Sequence, residues 1–214
     1  MIVPGLVAAT VVALLGLLIS EYRGLRSGVW ALKPLASTGF IAVAVAAGAW
    51  ETPYGVAVLV ALFLCWLGDV FLIPKGAAAP FLIGLTSFLL GHVGFAVAFA
   101  LRGPDPLWMA AAAVLLLPPA YLVLRWLHPH LSARMRTPVV AYVAVISLML
   151  VTAVGAAAAT GRAAIGIGAA CFYLSDLHVA RHRFVAQSFW NKSWGLPLYY
   201  AAQLILASTV NPGG

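Results

Sequence analysis

Apolar positions in this chain run unbroken over the length of a long helix, then stop at short clusters of proline, glycine and charge. They show neither the period-two alternation of a half-buried strand nor the narrow stripe of a soluble amphipathic helix. Cutting the chain at those clusters predicts eight apolar helices, near residues 3–20, 35–50, 54–73, 81–101, 107–127, 138–158, 162–180 and 194–210. About 20 apolar residues cross the hydrocarbon core of a bilayer as a helix. Each run therefore reads as a membrane span, the short second one sheltered among its neighbours. A spanning β-barrel would instead need segments of about ten residues alternating polar and apolar. Ala and Gly recur densely in AVAVAAGA and GIGAA, and small residues let helices approach closely where packing drives their association. The expected fold class is all-α: a polytopic integral membrane helical bundle of eight transmembrane helices, with residues 1–214 forming a single transmembrane domain.

Composition sharpens this picture. Of 214 residues, 64% are hydrophobic and 8% charged. Soluble domains carry about 25% charged residues, so a water-soluble fold is excluded. The two cysteines, Cys65 and Cys171, both sit in apolar runs and build neither a disulfide framework nor a thiolate metal cluster. A net charge of +7 would suggest nucleic acid in a soluble protein; here it reports topology, and no nucleic-acid partner is expected. Arg23, Arg26, Lys33, Lys75, Arg125, Arg134, Arg136, Arg181, Arg183 and Lys192 follow odd-numbered spans, whereas Arg102 and Arg162 follow even-numbered ones. The positive-inside rule then puts the heavily basic side in the cytoplasm and both termini on the non-cytoplasmic side. The first span has no positive residue before it and reads as a retained helix rather than a signal peptide.

An ionisable residue inside a span costs at least about 2.5 kcal/mol near the centre of an isolated helix and points to function by default. Of the five acidic residues, Asp69 in CWLGDVFL and Asp176 in FYLSDLHVA lie within apolar helices. Each sits a turn or so from the cytoplasmic end of a span running the same way, so the two share a depth and can meet. Asp176 follows Asp69 by 107 residues, half the chain, as a parallel duplication of four spans plus four would give. The plainer reading makes both aspartates structural acceptors for Ser, Tyr or Arg in the bundle. In the fourth span Gly84, Phe88 and His92 share a face, with His92 mid-helix. In the eighth, Tyr200 and Gln203 share a face beside Tyr199, and Gln203 lies deep enough to need a partner. His178 and His182 have the i, i+4 spacing that can clamp zinc, although histidines at a basic helix end are ordinary. No Walker loop, GxSxG elbow, HExxH or dinucleotide fingerprint occurs.

Taken in span order, LGDVFL in the third span, FLIGLTSFLLGH in the fourth, YLSDLHVARHRF in the seventh and YYAAQLI in the eighth extend over the whole chain, with Lys33-Pro34 opening the second. In these motifs the chain resembles the lysoplasmalogenase family, also called YhhN-like, whose members are eight-span membrane proteins. The resemblance implies hydrolysis of the vinyl-ether bond of lysoplasmalogens, releasing a fatty aldehyde and a glycerophospho-ethanolamine or -choline. Asp69, Asp176, His92, Tyr200, Gln203 and Lys33 fall on the family's characteristic polar positions. Two residues depart from the pattern: Phe95 stands where the family usually has Tyr, and His178 where it is usually apolar. The first removes a hydroxyl contact; the second weakens the zinc reading.

Vinyl-ether cleavage begins with protonation of an alkene carbon to give an oxocarbenium ion, after which water adds and the hemiacetal collapses. Such a site needs an acid and an anion. Two nearby aspartates in a poorly hydrated bundle resist ionising together, so one can serve as general acid while the other stabilises the cation and directs water. The expected catalytic pair is Asp69 and Asp176. Lys33, His92, Ser175, Tyr199, Tyr200 and Gln203 are expected to bind substrate, Lys33 at its phosphate, and no metal or organic cofactor is required. The expected partners are a lysophospholipid substrate and membrane lipids, and the expected location is a bacterial cytoplasmic (inner) membrane. The loop RHRFVAQSFWNKS, with Phe184, Phe189 and Trp190 among basic residues, is expected to lie in the interface and steer lipids inward. Two alternatives stay open: a metal-dependent lipid hydrolase using Asp69, His92 and Asp176, with His178 as an optional fourth group, and a non-enzymatic or proton-coupled transporter.

Overall fold

The computed structural model describes residues 2–74, 76 and 78–211, and Lys75 of the basic set lies outside the described residues. Eight α-helices make up the bundle: α1 (Ile2–Arg23), α2 (Arg26–Ala46), α3 (Pro53–Phe71), α4 (Ala78–Ala100), α5 (Pro106–Leu127), α6 (Ala133–Thr160), α7 (Ala163–Ala180) and α8 (Phe189–Ser208). No strand occurs among the described residues. Seven of these helices are long and apolar enough to cross a membrane, and the protein is a polytopic helical membrane bundle. The eighth, α8, is diluted by Asn191, Lys192, Ser193, Pro197 and Gln203. Its polarity turns inward, since Asn191, Tyr199, Tyr200 and Gln203 are all buried.

The helix starts follow local chemistry. Thr52 caps α3 by accepting the Gly55 N–H at 3.0 Å, with Pro53 in the first turn. Asp105 caps α5 through the N–H groups of Leu107 and Trp108, which gives this loop acid a structural role. Three starts differ from the sequence reading, α8 beginning at Phe189 rather than near 194. α2 begins at Arg26, well before Lys33-Pro34, and α6 begins at Ala133, before Pro138. Proline suits a helix opening, but both helices run through theirs. Pro34 frees the carbonyl of Trp30, whose side chain is 49% exposed near the end of the bundle, where water or headgroups can satisfy it. Arg26 and Lys33 are therefore helical residues, and Lys33 points into the bundle rather than marking a loop.

Short connections turn each helix back on the last. α1–α2–α3–α4 pack consecutively, as do α5–α6–α7–α8, while α4 and α6 join the halves on one side and α2 and α8 on the other. Glycines set the closest approach: a Cβ on Gly68 of α3 would stand 2.5 Å from the Phe88 ring of α4, and one on Gly91 of α4 would stand 2.8 Å from the Cys65 sulfur. α5 is peripheral. Its buried residues are Ala112 and Leu127, whereas Val114, Leu115, Leu117 and Leu122 are exposed on a face suited to lipid.

Candidate active site

A cavity of about 440 Å³ penetrates the bundle from the end where the odd-numbered helices finish. Exposed Arg183 and Gln187 line its mouth, so it reaches the surface there. Asp69 of α3 and Asp176 of α7 both face this cavity, but each is held by its own partners and no hydrogen bond joins them.

Asp69 is almost fully enclosed and surrounded by donors. Lys33 Nζ of α2 stands 3.2 Å from Oδ1 and also donates to the Asp69 backbone carbonyl at 3.1 Å. Oδ2 accepts from the Ser37 hydroxyl at 2.7 Å and from the Tyr199 hydroxyl of α8 at 2.6 Å. A lysine and two hydroxyls aimed at one buried carboxyl form a cradle for its anion. Behind them, Tyr200 exchanges a hydrogen bond with Ser37 at 3.0 Å and fixes that hydroxyl.

The Asp176 set is different in kind. Its Oδ2 accepts from the Tyr142 hydroxyl of α6 at 2.8 Å and lies 3.3 Å from Nε2 of His92 of α4, close enough for an ion pair but not aligned for a hydrogen bond. The other ring nitrogen, Nδ1, lies 2.6 Å from the Phe88 carbonyl. A carbonyl only accepts, so Nδ1 carries a hydrogen and Nε2 is the nitrogen that can take up or release a proton opposite Asp176. The ring is held in place by Phe172 at 4.3 Å and Tyr142 at 5.3 Å between centroids.

The residues expected to bind substrate divide into two groups. Lys33, Ser175 and Tyr199 line the cavity; His92, Tyr200 and Gln203 are fully buried behind its wall. The second group does not border the cavity, because its helical faces turn toward neighbouring helices. Lys33 is also engaged by Asp69 rather than held ready for a phosphate. Neither amide atom of Gln203 finds a hydrogen bond, and the Ser175 hydroxyl is likewise buried without one. Two members of the site lie outside the expected set, Ser37 and Tyr142. Ser37 shares a face of α2 with Lys33 at i, i+4, and Tyr142 is the lone hydroxyl in VVAYVAVI, which is the signal the sequence offers for each. Among the described residues no three His, Cys, Asp or Glu side chains stand close enough to share a metal ion. Asp69, His92 and Asp176, the core of the metal-dependent alternative, thus do not form one donor set.

The fold and this cavity define a polytopic membrane protein with two separately solvated carboxyls facing one largely apolar chamber. The YhhN family profile matches residues 28–210, and the chain belongs to that family. Over 161 residues it is 30% identical to "Lysoplasmalogenase TMEM86A" of Bos taurus, an alignment covering 72% of this chain and 65% of that protein. Over 152 residues it is 32% identical to a protein named lysoplasmalogenase from Mycobacterium bovis, covering 68% of this chain and 56% of the relative. The chain thus spans about three fifths of the length of these curated relatives. No solved structure matches it.

Proposed function

We propose that the protein hydrolyses the vinyl-ether bond of lysoplasmalogens, with Asp176 as general acid and Asp69 as the fixed anion. The observation that carries this reading is the contrast between the two carboxyls on one cavity wall: a lysine and two hydroxyls donate to Asp69, while Asp176 faces a histidine nitrogen able to exchange a proton. The names of two relatives support the same chemistry.

In this scheme Asp176 gives its proton to the alkene carbon distal to the ether oxygen. The π electrons form the new C–H bond, and the adjacent carbon becomes part of an oxocarbenium ion. Asp69, ionised and immobilised, lowers the energy of that cation in a poorly hydrated chamber. Water adds to the cationic carbon and releases a proton to Asp176. The hemiacetal then loses its hydroxyl proton as the glycerol oxygen leaves with one, giving aldehyde and alcohol. Protons taken up equal protons released. His92 and Tyr142 act through Asp176 as positioning residues, and the 3.3 Å His92 gap can close when substrate excludes water.

The test is incubation of purified protein in detergent with a lysoplasmalogen and, separately, with a saturated lysophospholipid, followed by aldehyde detection. Aldehyde should form from the first alone. A site between two parallel sets of four helices is also a geometry that carriers use, and absence of aldehyde from both lipids would favour that reading.

A further inference from the structure

Arg183 stands at the mouth of the cavity with its guanidinium over an aromatic ring and no hydrogen bond from it among the described residues. The Cζ atom lies 3.9 Å above the Phe81 ring, in the first turn of α4. No carboxylate pairs with it among the described residues. The lysines of the same cavity are engaged: Lys33 by Asp69 at 3.2 Å, and Lys192 by Glu21 at 2.5 Å. Deeper on the same wall lies His178, half-buried, whose ring makes no hydrogen bond among the described residues.

The backbone is built to hold this arrangement. α7 ends in a π-helical turn, Arg181–Val185, closed by the Ala186 N–H on the Arg181 carbonyl at 2.9 Å. Turns of this kind are rare and recur at functional sites. This one brings both Arg183 and Phe184 onto the cavity wall. Asn191 of α8, buried and bordering the same cavity, pins it, accepting from Arg181 Nη1 at 2.6 Å and donating to the Ala186 carbonyl at 2.7 Å. The Phe81 ring holds the Arg183 guanidinium at the mouth, and N–H groups without a hydrogen-bond partner among the described residues can meet two oxygens of a phosphate.

We propose that Arg183, backed by His178, is the anchor for the phosphodiester of a single-chain lipid headgroup, with the hydrocarbon chain lying along Leu85, Val139, Val143 and Ile146 of the same cavity. This assigns the phosphate to the cavity mouth instead of to Lys33, and it rests on the reading of the chamber as a lysolipid site. The labile bond, one glycerol away from the phosphate, then lies inward, toward the two aspartates.

Binding is measured in detergent with a saturated 1-O-alkyl-glycerophosphoethanolamine, which has no vinyl ether to cleave, and with the matching 1-O-alkylglycerol, which has no phosphate. Arg183→Gln should weaken the phospholipid at least about tenfold and the alkylglycerol less than about twofold, as loss of one charge-assisted pair predicts. Equal losses for both probes, or none for the phospholipid, overturn the assignment. Arg183→Lys retains the charge without the fork and should also lose phospholipid affinity selectively, which keeps the test open if the glutamine variant does not fold. Inorganic phosphate and free glycerophosphoethanolamine bound by the unaltered protein as tightly as the lysolipid would mark a free-phosphate site and overturn the lipid assignment. Since neither lipid probe is turned over, failure of the hydrolase reading shows separately, as absence of aldehyde from lysoplasmalogen.

Discussion

His92 and Tyr199 are separated by 107 residues, the same interval that separates Asp69 from Asp176, and each reaches the aspartate of the other half of the chain. His92, on the fourth helix of the first half, faces Asp176; Tyr199, on the fourth helix of the second half, donates to Asp69. The second helix of each half completes the set, Lys33 and Ser37 of α2 serving Asp69 and Tyr142 of α6 serving Asp176. The helix contacts repeat in the same way, with α2 on α8 matching α6 on α4. This is the pattern a parallel four-plus-four duplication leaves, with reciprocal exchange of one helix. The partners diverge at equivalent positions: His92, an imidazole that can exchange a proton, answers to Tyr199, a hydroxyl that donates, while Lys33 and Ser37 answer to Val140 and Ala144, and Tyr142 to Leu35.

From that divergence the two positions should respond unequally to substitution. Tyr199→Phe removes one of three side-chain donors to Asp69, and turnover should fall about tenfold. His92→Gln removes the proton-exchanging group opposite Asp176 while keeping a polar side chain, and turnover should fall about a hundredfold. The measurement is kcat across pH for both variants. A larger loss for Tyr199→Phe than for His92→Gln would reverse the roles assigned to the two aspartates.

The carboxyls themselves should tolerate no replacement by their amides. Asn nearly preserves volume and still accepts from the hydroxyls, so Asp176→Asn should remain monodisperse in detergent, and Asp69→Asn, which leaves Lys33 without its counter-ion, should do so at reduced thermal stability. Each should lose at least about a hundredfold in turnover, and the double variant should lose little more than the worse single one, because an acid without its anion cannot complete the sequence. Near-normal turnover of lysoplasmalogen by either folded single variant would refute the mechanism.

How much of this was legible in the sequence depends on how each residue satisfies itself in an apolar span. A carboxylate cannot be hidden by its own helix, so Asp69 and Asp176 stand out. A hydroxyl can: Thr10, Ser20 and Thr152 each donate to the carbonyl four residues back. Only weak signals separate these from Ser37 and Tyr142, whose hydroxyls cross to another helix: the i, i+4 spacing of Ser37 from Lys33, and the isolation of Tyr142 in VVAYVAVI. The identities of His92, Tyr200 and Gln203 were legible as polar residues, but whether they face the cavity depends on helix rotation, since each residue turns a face by about 100°. Lys33 was misread as a rim charge because Pro34 resembles a helix opening, whereas α2 starts a full two turns earlier, at Arg26. The separate solvation of the aspartates was not legible at all, for it requires the exchange of α4 and α8 between halves.

Lys33 and Asp69 form an ion pair with side chains only 13% and 3% exposed. Breaking such a pair on one side leaves a buried charge alone, at a cost of about 3 kcal/mol or more. Lys33→Met should therefore lower thermal stability markedly in detergent. Adding Asp69→Asn should recover most of that stability, since the amide still accepts from Ser37 and Tyr199, and should recover no activity. If the double variant is no more stable than Lys33→Met alone, the lysine acts by packing rather than by neutralising Asp69.

Orientation in the membrane follows from charge. Ten of the twelve basic residues follow odd-numbered spans in the sequence reading, and the nine of these that are described lie in or beside the helix ends at the side of the bundle where the cavity opens. Phospholipid headgroups lie at both faces of a bilayer, so the cavity alone does not choose a side; the basic residues do, because short loops rich in Lys and Arg are retained in the cytoplasm. Arg134 opens α6 at that end, and the chain after α8 lies at the other. Reporter fusions at Arg134 and after Asn211 should report opposite compartments, with Arg134 cytoplasmic and the cavity mouth open to the inner leaflet. A reporter found in the cytoplasm at the C-terminus would invert the bundle and turn the Arg183 anchor toward the outer leaflet.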